Sequence, residues 1–219
     1  MTDNLKNIDY WEKLLVDLPD SYKKWFKEEK KYLQKNITPT TTVLEVGCGE
    51  GRSLRNILPI TKNLTGIDND EKAVGDAKEN FKQYPSVNIL LADAINLPFK
   101  DKSFDFVICM VTFANFGVKK YKALNEMKRV LKDKGAIIIS VFSENSLDER
   151  MKVYRKFGGK IKENKNGKII FDEDWEDNVS EQFSEEELRE IFKKVKLKII
   201  GIIKLDISYI CKLKKQNDR

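Results

Sequence analysis

The sequence has 219 residues, of which 41% are apolar and 10% aromatic. This length and composition predict one globular domain with a sizeable core and exclude a disordered chain. The net charge is +6, from 41 basic and 35 acidic residues, and the lysines are interleaved with acidic residues along the whole chain. That distribution is typical of a solvated surface, so we expect no nucleic-acid partner.

The chain contains no histidine. Histidine is the commonest general base and the commonest zinc ligand, so its absence excludes hydrolases built on a Ser-His-Asp triad or a Cys-His pair. The three cysteines, Cys48, Cys109 and Cys211, are widely separated and predict neither a disulfide framework nor a metal site. Apolar runs are too short for a membrane span, and the polar N-terminal sequence does not read as a signal peptide. We therefore expect a cytoplasmic protein.

Residues 1–36 carry aromatic and leucine residues at helical spacing on both sides of Pro19, which predicts two amphipathic helices. From residue 42 onward, predicted strands and helices alternate. Five strands are predicted from the apolar segments TVLEVG, NLTGID, VNILLAD, FDFVICMV and AIIISVF. Their near-continuous apolar character is typical of a parallel sheet that helices cover on both faces.

Residues 143–182 interrupt this alternation, and within them the sequence KIKENKNGKIIF predicts a hairpin that turns at Asn166 and Gly167. A predicted capping box, Ser184 with Glu187, then opens the last helix. Two apolar runs, LKIIGIIKL and ISYICKL, follow with a short connection between them, which predicts an antiparallel pair. The fold class is α/β: a Rossmann-like, doubly wound, mostly parallel seven-stranded sheet with an antiparallel last strand, N-terminal helices and an insertion after the fifth strand.

The segment VLEVGCGEGRSL places three glycines directly after the first predicted strand. A glycine-rich turn at the carboxyl end of a strand lets backbone N–H groups approach a ligand closely. Two carboxylates, Asp68 and Asp93, end the second and third predicted strands. An acid at the first of these positions can accept hydrogen bonds from both ribose hydroxyls of an adenosine ligand. The second, with the backbone of Ala94, suits the adenine base.

The loop departs from two other nucleotide-binding patterns. Arg52 stands where a dinucleotide fingerprint has its third glycine, and the Gly-Lys-Ser/Thr sequence of a P-loop is absent. Glu45 lies two residues before the loop, where a carboxylate is unfavourable beside a pyrophosphate but favourable beside an ammonium or a sulfonium. The pattern therefore favours an adenosine ligand that carries positive charge.

These segments resemble the class I S-adenosylmethionine-dependent methyltransferases, and within them the type 11 group. The resemblance rests on VLEVGCGEG, LTGIDND, LLADAINLPFKDKSFDFVIC and ALNEMKRVLKDKGAIIIS, and it is strong over residues 42–142. It implies S-adenosyl-L-methionine as the cofactor. The implied cofactor contacts are Glu45, Gly47, Cys48, Gly49, Asp68, Asn69, Asp93, Ala94 and Met110. The family commonly carries a histidine after the fourth strand, where this chain has Asn115.

The resemblance implies methyl transfer but does not identify the acceptor. We expect one methyltransferase domain over residues 1–219, in which residues 1–36 form a helical lid and residues 143–182 line the acceptor site. The candidate acceptor contacts are Tyr10, Trp11, Tyr22, Trp25, Asn115, Tyr154 and Trp175. Such an aromatic lid predicts a small-molecule acceptor, while simple packing of the aromatic residues against the sheet remains an open interpretation.

The sequence assigns no catalytic residue and predicts no metal. A general base is needed only if the acceptor arrives protonated, and a tyrosine, an acidic residue and water all remain candidates for it. Two alternatives to a small-molecule methyltransferase also remain open. One is a methyltransferase that acts on protein or RNA, and the other is a non-catalytic nucleotide-binding module of the same fold.

Overall fold

The computed structural model describes residues 17–156, 159–172 and 179–216. The helices of this part are α1 (Asp20–Asn36), α2 (Arg52–Ile57), α3 (Glu71–Asn80), α4 (Lys120–Val130), α5 (Leu147–Lys156) and α6 (Glu185–Lys194). The strands are β1 (Val43–Val46), β2 (Leu64–Asp68), β3 (Asn88–Leu91), β4 (Phe104–Met110), β5 (Leu131–Phe142), β6 (Ile161–Lys165), β7 (Lys168–Phe171), β8 (Val179–Ser180), β9 (Leu197–Lys204) and β10 (Ser208–Lys215).

The large sheet has seven strands in the order β3-β2-β1-β4-β5-β10-β9. Strands β1 to β5 pair in parallel, whereas β10 runs antiparallel to both β5 and β9. This confirms the predicted sheet and its antiparallel last strand. The chain reverses direction across the sheet after β3, so the carboxyl ends of β1 and β4 lie at the switch point where α/β proteins bind ligands.

Side chains of the central strands alternate between two core layers. Along β4, Val107 and Cys109 face one cluster of buried residues, which also holds residues of α4 and α6. Ile108 and Met110 face a second cluster, which holds residues of α1, α2 and α3. The two-residue period of a strand therefore buries both faces of the sheet, which explains the near-continuous apolar sequence of β4.

Helix α1 confirms the second of the two helices predicted for residues 1–36; the first lies outside the described residues. Its buried residues are Tyr22, Trp25, Phe26, Glu29 and Leu33. The helix starts directly after Pro19, whose carbonyl accepts hydrogen bonds from the N–H groups of residues 22 and 23. A proline at this point fixes the chain for helix entry, which agrees with the break that the sequence predicts.

The insertion forms α5 and a three-stranded sheet in the order β6-β7-β8. The predicted hairpin is confirmed: Asn166 and Gly167 connect β6 to β7 with φ angles of 51° and 77°. Positive φ at both turn residues is the requirement that Asn-Gly turns meet. The predicted capping box is also confirmed, with the Ser184 hydroxyl accepting from the N–H of Glu187 and the carboxylate of Glu187 accepting in return.

Strand β5 differs from its prediction, because it starts at Leu131 rather than at Ala136. Leu131 is buried and pairs with Phe104, and the register with β4 shifts before it resumes at Phe106. The residues between these two pairings include lysines and a glycine, a pattern that in sequence indicates the end of a helix.

Within the described residues, no helix is long and apolar enough to cross a membrane.

Candidate functional site

A cavity of about 870 Å³ lies at the carboxyl ends of β1 to β4. This volume falls within the range of small-molecule and cofactor sites. Its lining includes Asn115 and the nine residues that the resemblance implies as cofactor contacts, namely Glu45, Gly47, Cys48, Gly49, Asp68, Asn69, Asp93, Ala94 and Met110. The structure therefore brings these ten residues together, although they come from five separate segments of the chain.

We name two parts of this cavity by the residues that line them. The glycine-loop end comprises the lining residues from 45 to 95, which lie at the ends of β1 and β2, in the loops after β1, β2 and β3, or on α2 and α3. The insertion end comprises residues 115–119, which follow β4, together with Lys168 of β7 and Val179 of β8. Residues 110–112 lie between the two ends in the chain path.

The glycine loop has a backbone that side chains would not tolerate. Gly47 adopts a φ of 72° and Gly51 a φ of 91°, both in the left-handed region. A Cβ atom on Gly47 would overlap the side chain of Thr112, and one on Gly51 would overlap the ring of Phe81. The Thr112 hydroxyl donates to the Gly47 carbonyl at 2.9 Å, so the loop is held against the segment that follows β4.

The Asp68 carboxylate ties the glycine loop to the end of β2. One oxygen accepts from the Gly49 N–H at 2.7 Å, and the other accepts from the Asp70 N–H at 3.2 Å. Each carboxylate oxygen has two lone pairs, so both retain acceptor capacity toward the cavity. Asp93 is exposed at the end of β3 and accepts from the N–H of Ile95 at 3.1 Å, which turns the chain there.

Glu45 is a buried acid with an unused acceptor atom. Its side chain is 2% exposed, and its Oε2 has no hydrogen-bond partner among the described residues. Burial raises the pKa of this carboxyl to about 8, against the opposing effects of the nearby Arg52 charge and a hydrogen bond with Ser53. Ionising a buried carboxyl that has one unpaired oxygen is costly, so this position suits a cationic ligand group that would compensate its charge.

Helix α1 reaches the glycine loop through a buried charge that the sequence analysis missed. The Glu29 carboxylate lies 2.8 Å from the Arg52 guanidinium and also accepts from the Ser140 hydroxyl. The same guanidinium stacks on the Phe26 ring, 4.1 Å from its centroid. One signal was available, because Glu29 falls on the apolar face of α1, where an acid needs a partner.

Val111, directly after β4, has a φ of 73° and a ψ of −41°. This conformation is strained for a β-branched residue, and it persists where the surroundings impose it. The Val111 N–H donates to the Ser140 carbonyl at 3.0 Å, and the residue lines the cavity. This conformation turns the chain out of β4 toward Thr112 and Asn115. No pattern in the sequence predicts it.

The predicted aromatic acceptor contacts lie elsewhere. Tyr22 and Trp25 are buried in a cluster with Phe142, at ring-centroid distances of 6.0 and 5.1 Å from it. Tyr154 packs edge-on against Phe171 and hydrogen-bonds to Ser180. These three aromatic residues are not among the lining residues of the cavity, because Tyr22 and Trp25 fill the core against β5 and Tyr154 packs on the small sheet. Tyr10, Trp11 and Trp175 lie outside the described residues.

The insertion nevertheless reaches the cavity, through strands rather than aromatic side chains. Lys168 and Val179 line its insertion end. The Glu181 N–H donates to the Ala114 carbonyl at 2.9 Å, which fixes the insertion against the segment after β4. Among the described residues, no group of three or more Cys, Asp or Glu side chains is arranged to hold a metal ion.

The central part of the chain is similar in sequence to known proteins. Residues 44–139 match the family model described as "Methyltransferase domain", of type 11. An uncharacterized protein of Methanocaldococcus jannaschii, MJ1252, is 34% identical over 61% of this chain and 50% of its own length. A demethylmenaquinone methyltransferase of Staphylococcus aureus is 32% identical over 69% of this chain and 60% of its own length. The chain thus spans between half and three-fifths of these two relatives.

The solved structures confirm the fold. The crystal structure of PH0226 from Pyrococcus horikoshii aligns with a TM-score of 0.72 at 20% identity, over 96% of this chain and 100% of its own. The family match covers the glycine loop and the ends of β1 to β4, where the sequence predicted the resemblance. Residues 44–139 of this chain are therefore similar in sequence to the methyltransferase-domain family of type 11.

Proposed function

We propose that this protein transfers a methyl group from S-adenosylmethionine to a small-molecule acceptor. The observation that carries the proposal is Glu45, a buried carboxylate beside the glycine loop whose Oε2 has no partner among the described residues. The amino group of S-adenosylmethionine is a cation that would compensate this charge. NAD and ATP carry phosphates, which offer no cation to this carboxyl and would be repelled by its ionised form.

The other lining residues fit the rest of this cofactor. Asp68 retains acceptor capacity for the ribose hydroxyls, while its bond to the Gly49 N–H holds the loop in place. Asp93 and the backbone of Ala94 lie at the end of β3 to receive the adenine base. The Met110 carbonyl, next to the strained turn at Val111, is proposed to approach the amino group from the other side.

S-adenosylmethionine supplies a methyl group on a positively charged sulfur that leaves as a neutral thioether, so the protein need not protonate a leaving group. The task of this chain is to hold the acceptor in line with that methyl group and to exclude water. We assign this task to Val111, Thr112 and the insertion end, which line the cavity. No tyrosine is among the described lining residues, so a tyrosine base finds no support there.

A small-molecule acceptor is supported by the partly enclosed shape of the cavity and by the demethylmenaquinone methyltransferase among the relatives. Transfer to protein or RNA is the second candidate, and we also propose that the chain does not bind nucleic acid tightly. The three free cysteines are buried, which is consistent with the proposed cytoplasmic location.

The test is a thermal-shift series with S-adenosylhomocysteine, NAD and ATP. A ligand that binds only the folded state raises the melting temperature by mass action. We expect a shift with S-adenosylhomocysteine alone. A shift with NAD and none with S-adenosylhomocysteine would contradict the proposal, and binding without methyl transfer to cell metabolites, tRNA or protein would favour the non-catalytic alternative.

A further inference from the structure

The two ends of the cavity differ in charge. At the glycine-loop end, acidic side chains outnumber basic ones; the acids are Glu45, Glu50, Asp68, Asp70, Asp76 and Asp93, and the bases are Arg52 and Lys72. At the insertion end, the charged lining residues in the described part of the chain are Lys119 and Lys168. The described lining of the cavity therefore passes from acidic to basic along its length.

The positive charge of the insertion end is only partly compensated. Lys168 lies 3.9 Å from Glu181, at the outer limit of an ion pair, while the other oxygen of that carboxylate lies 2.7 Å from Lys120. Within the described residues, Lys119 is exposed and pairs with no carboxylate. Among the described residues, Glu181 thus pairs with both Lys120 and Lys168, and Lys119 has no acidic partner.

Apolar surface adjoins these lysines. Val118 is 89% exposed, and Phe116 and Val179 line the cavity beside it. The insertion packs closely on this turn, since a Cβ atom on Gly117 would lie 3.2 Å from a methyl carbon of Val179. The lysines and the apolar side chains therefore form one surface, although they come from β7, β8 and the turn after β4.

We propose that the insertion end binds an acceptor with an apolar body and an anionic group, such as a carboxylate, sulfate or phosphate. This proposal rests on the proposed function and defines the class of its acceptor. Lys119 and Lys168 would pair with the anionic group, while Phe116, Val118 and Val179 contact the apolar body. A cationic acceptor would be repelled by the same two lysines.

The experiment uses two fluorescent probes of similar shape, the anion 8-anilinonaphthalene-1-sulfonate and the neutral N-phenyl-1-naphthylamine. Each is titrated into the full chain with and without saturating S-adenosylhomocysteine, which blocks the glycine-loop end. We expect the anion to bind more tightly in both conditions. The double variant Lys119→Gln and Lys168→Gln should weaken binding of the anion by about tenfold and leave binding of the neutral probe unchanged.

The matched control is the double variant Lys78→Gln and Lys198→Gln, which removes the same charge from exposed positions outside the cavity lining. It should retain wild-type affinity for both probes. Three results would overturn the proposal. The Lys119/Lys168 variant could keep wild-type affinity for the anion, it could lose affinity for both probes equally, or the control variant could lose as much affinity for the anion. If S-adenosylhomocysteine binds neither the wild type nor the variants, the proposed function is contradicted instead. The probe titrations without S-adenosylhomocysteine would still decide the charge preference of the insertion end.

Discussion

The glycine-loop end and the insertion end of the cavity are built in different ways. The first consists of backbone turns and short side chains at the ends of neighbouring parallel strands, and the glycine loop itself is the five residues 47–51 between β1 and α2. The second joins a turn after β4 to two strands that lie about fifty residues further along the chain. The difference shows that local backbone geometry can build one end of a cavity while long-range packing builds the other.

The largest effect is expected from Gly47→Val, which should break the glycine-loop end. The side chain would overlap Thr112 and would occupy a strained φ of 72°. We expect a loss of about 4 kcal/mol in the free energy of unfolding, measured by urea denaturation. The control Gly75→Val changes an exposed glycine of α3 with open space around it, and should cost far less. Equal losses would show that the loop tolerates a side chain.

A smaller effect is expected from Asp68→Ala. The variant loses the acceptor of the Gly49 N–H and the proposed partner of the ribose. Binding of S-adenosylhomocysteine, measured by calorimetry, should weaken by about 2 kcal/mol. Binding of the anionic naphthalene probe at the insertion end should remain at the wild-type level. If both ligands weaken together, the two ends are not independent as described.

The smallest effect concerns pH and Glu45. Its pKa is raised from 4.5 to about 8, so the folded protein holds this proton more tightly than the unfolded chain. The contribution of Glu45 to stability is therefore fully present below about pH 4.5 and is lost as the pH rises through about 8. Ligand binding has the opposite sign, because an ammonium group favours the ionised carboxylate.

Affinity for S-adenosylhomocysteine should accordingly rise several-fold from about pH 6 to about pH 8. 5′-Methylthioadenosine lacks the amino-acid part, so its affinity should stay constant over the same range. Glu45→Gln should remove the pH dependence for S-adenosylhomocysteine. A persistent dependence in that variant would assign the titration to another group.

Local signals in the sequence were sufficient for most of the sheet and for the glycine-loop end. The Asn166-Gly167 turn, the Ser184 capping box and the glycines after β1 each depend on a few adjacent residues, and the structure agrees with all three. The strand ends that carry Asp68 and Asp93 were predictable for the same reason. In a parallel sheet, the carboxyl ends of neighbouring strands meet at one edge.

The insertion end could not be predicted in this way. Tyr22 and Trp25 are aromatic residues of the kind expected in a lid, yet they fill the core against Phe142. Lys168 and Val179 carry no pattern that links them to the cavity, because their position depends on how the small sheet packs against the turn after β4. The strained φ of Val111 and the contact between Glu29 and Arg52 likewise arise only in the assembled fold.

The ion pair between Glu29 and Arg52 links α1 directly to the end of the glycine loop. Arg52 is the first residue of α2 and lines the cavity, while Glu29 lies fully buried in the middle of α1. A ligand that orders the loop would also favour the docked position of α1, and by thermodynamic reciprocity a docked α1 would raise the affinity for that ligand by the same factor. We therefore expect α1 to be energetically coupled to ligand binding at the glycine loop through the contacts of Arg52 with Glu29 and Phe26.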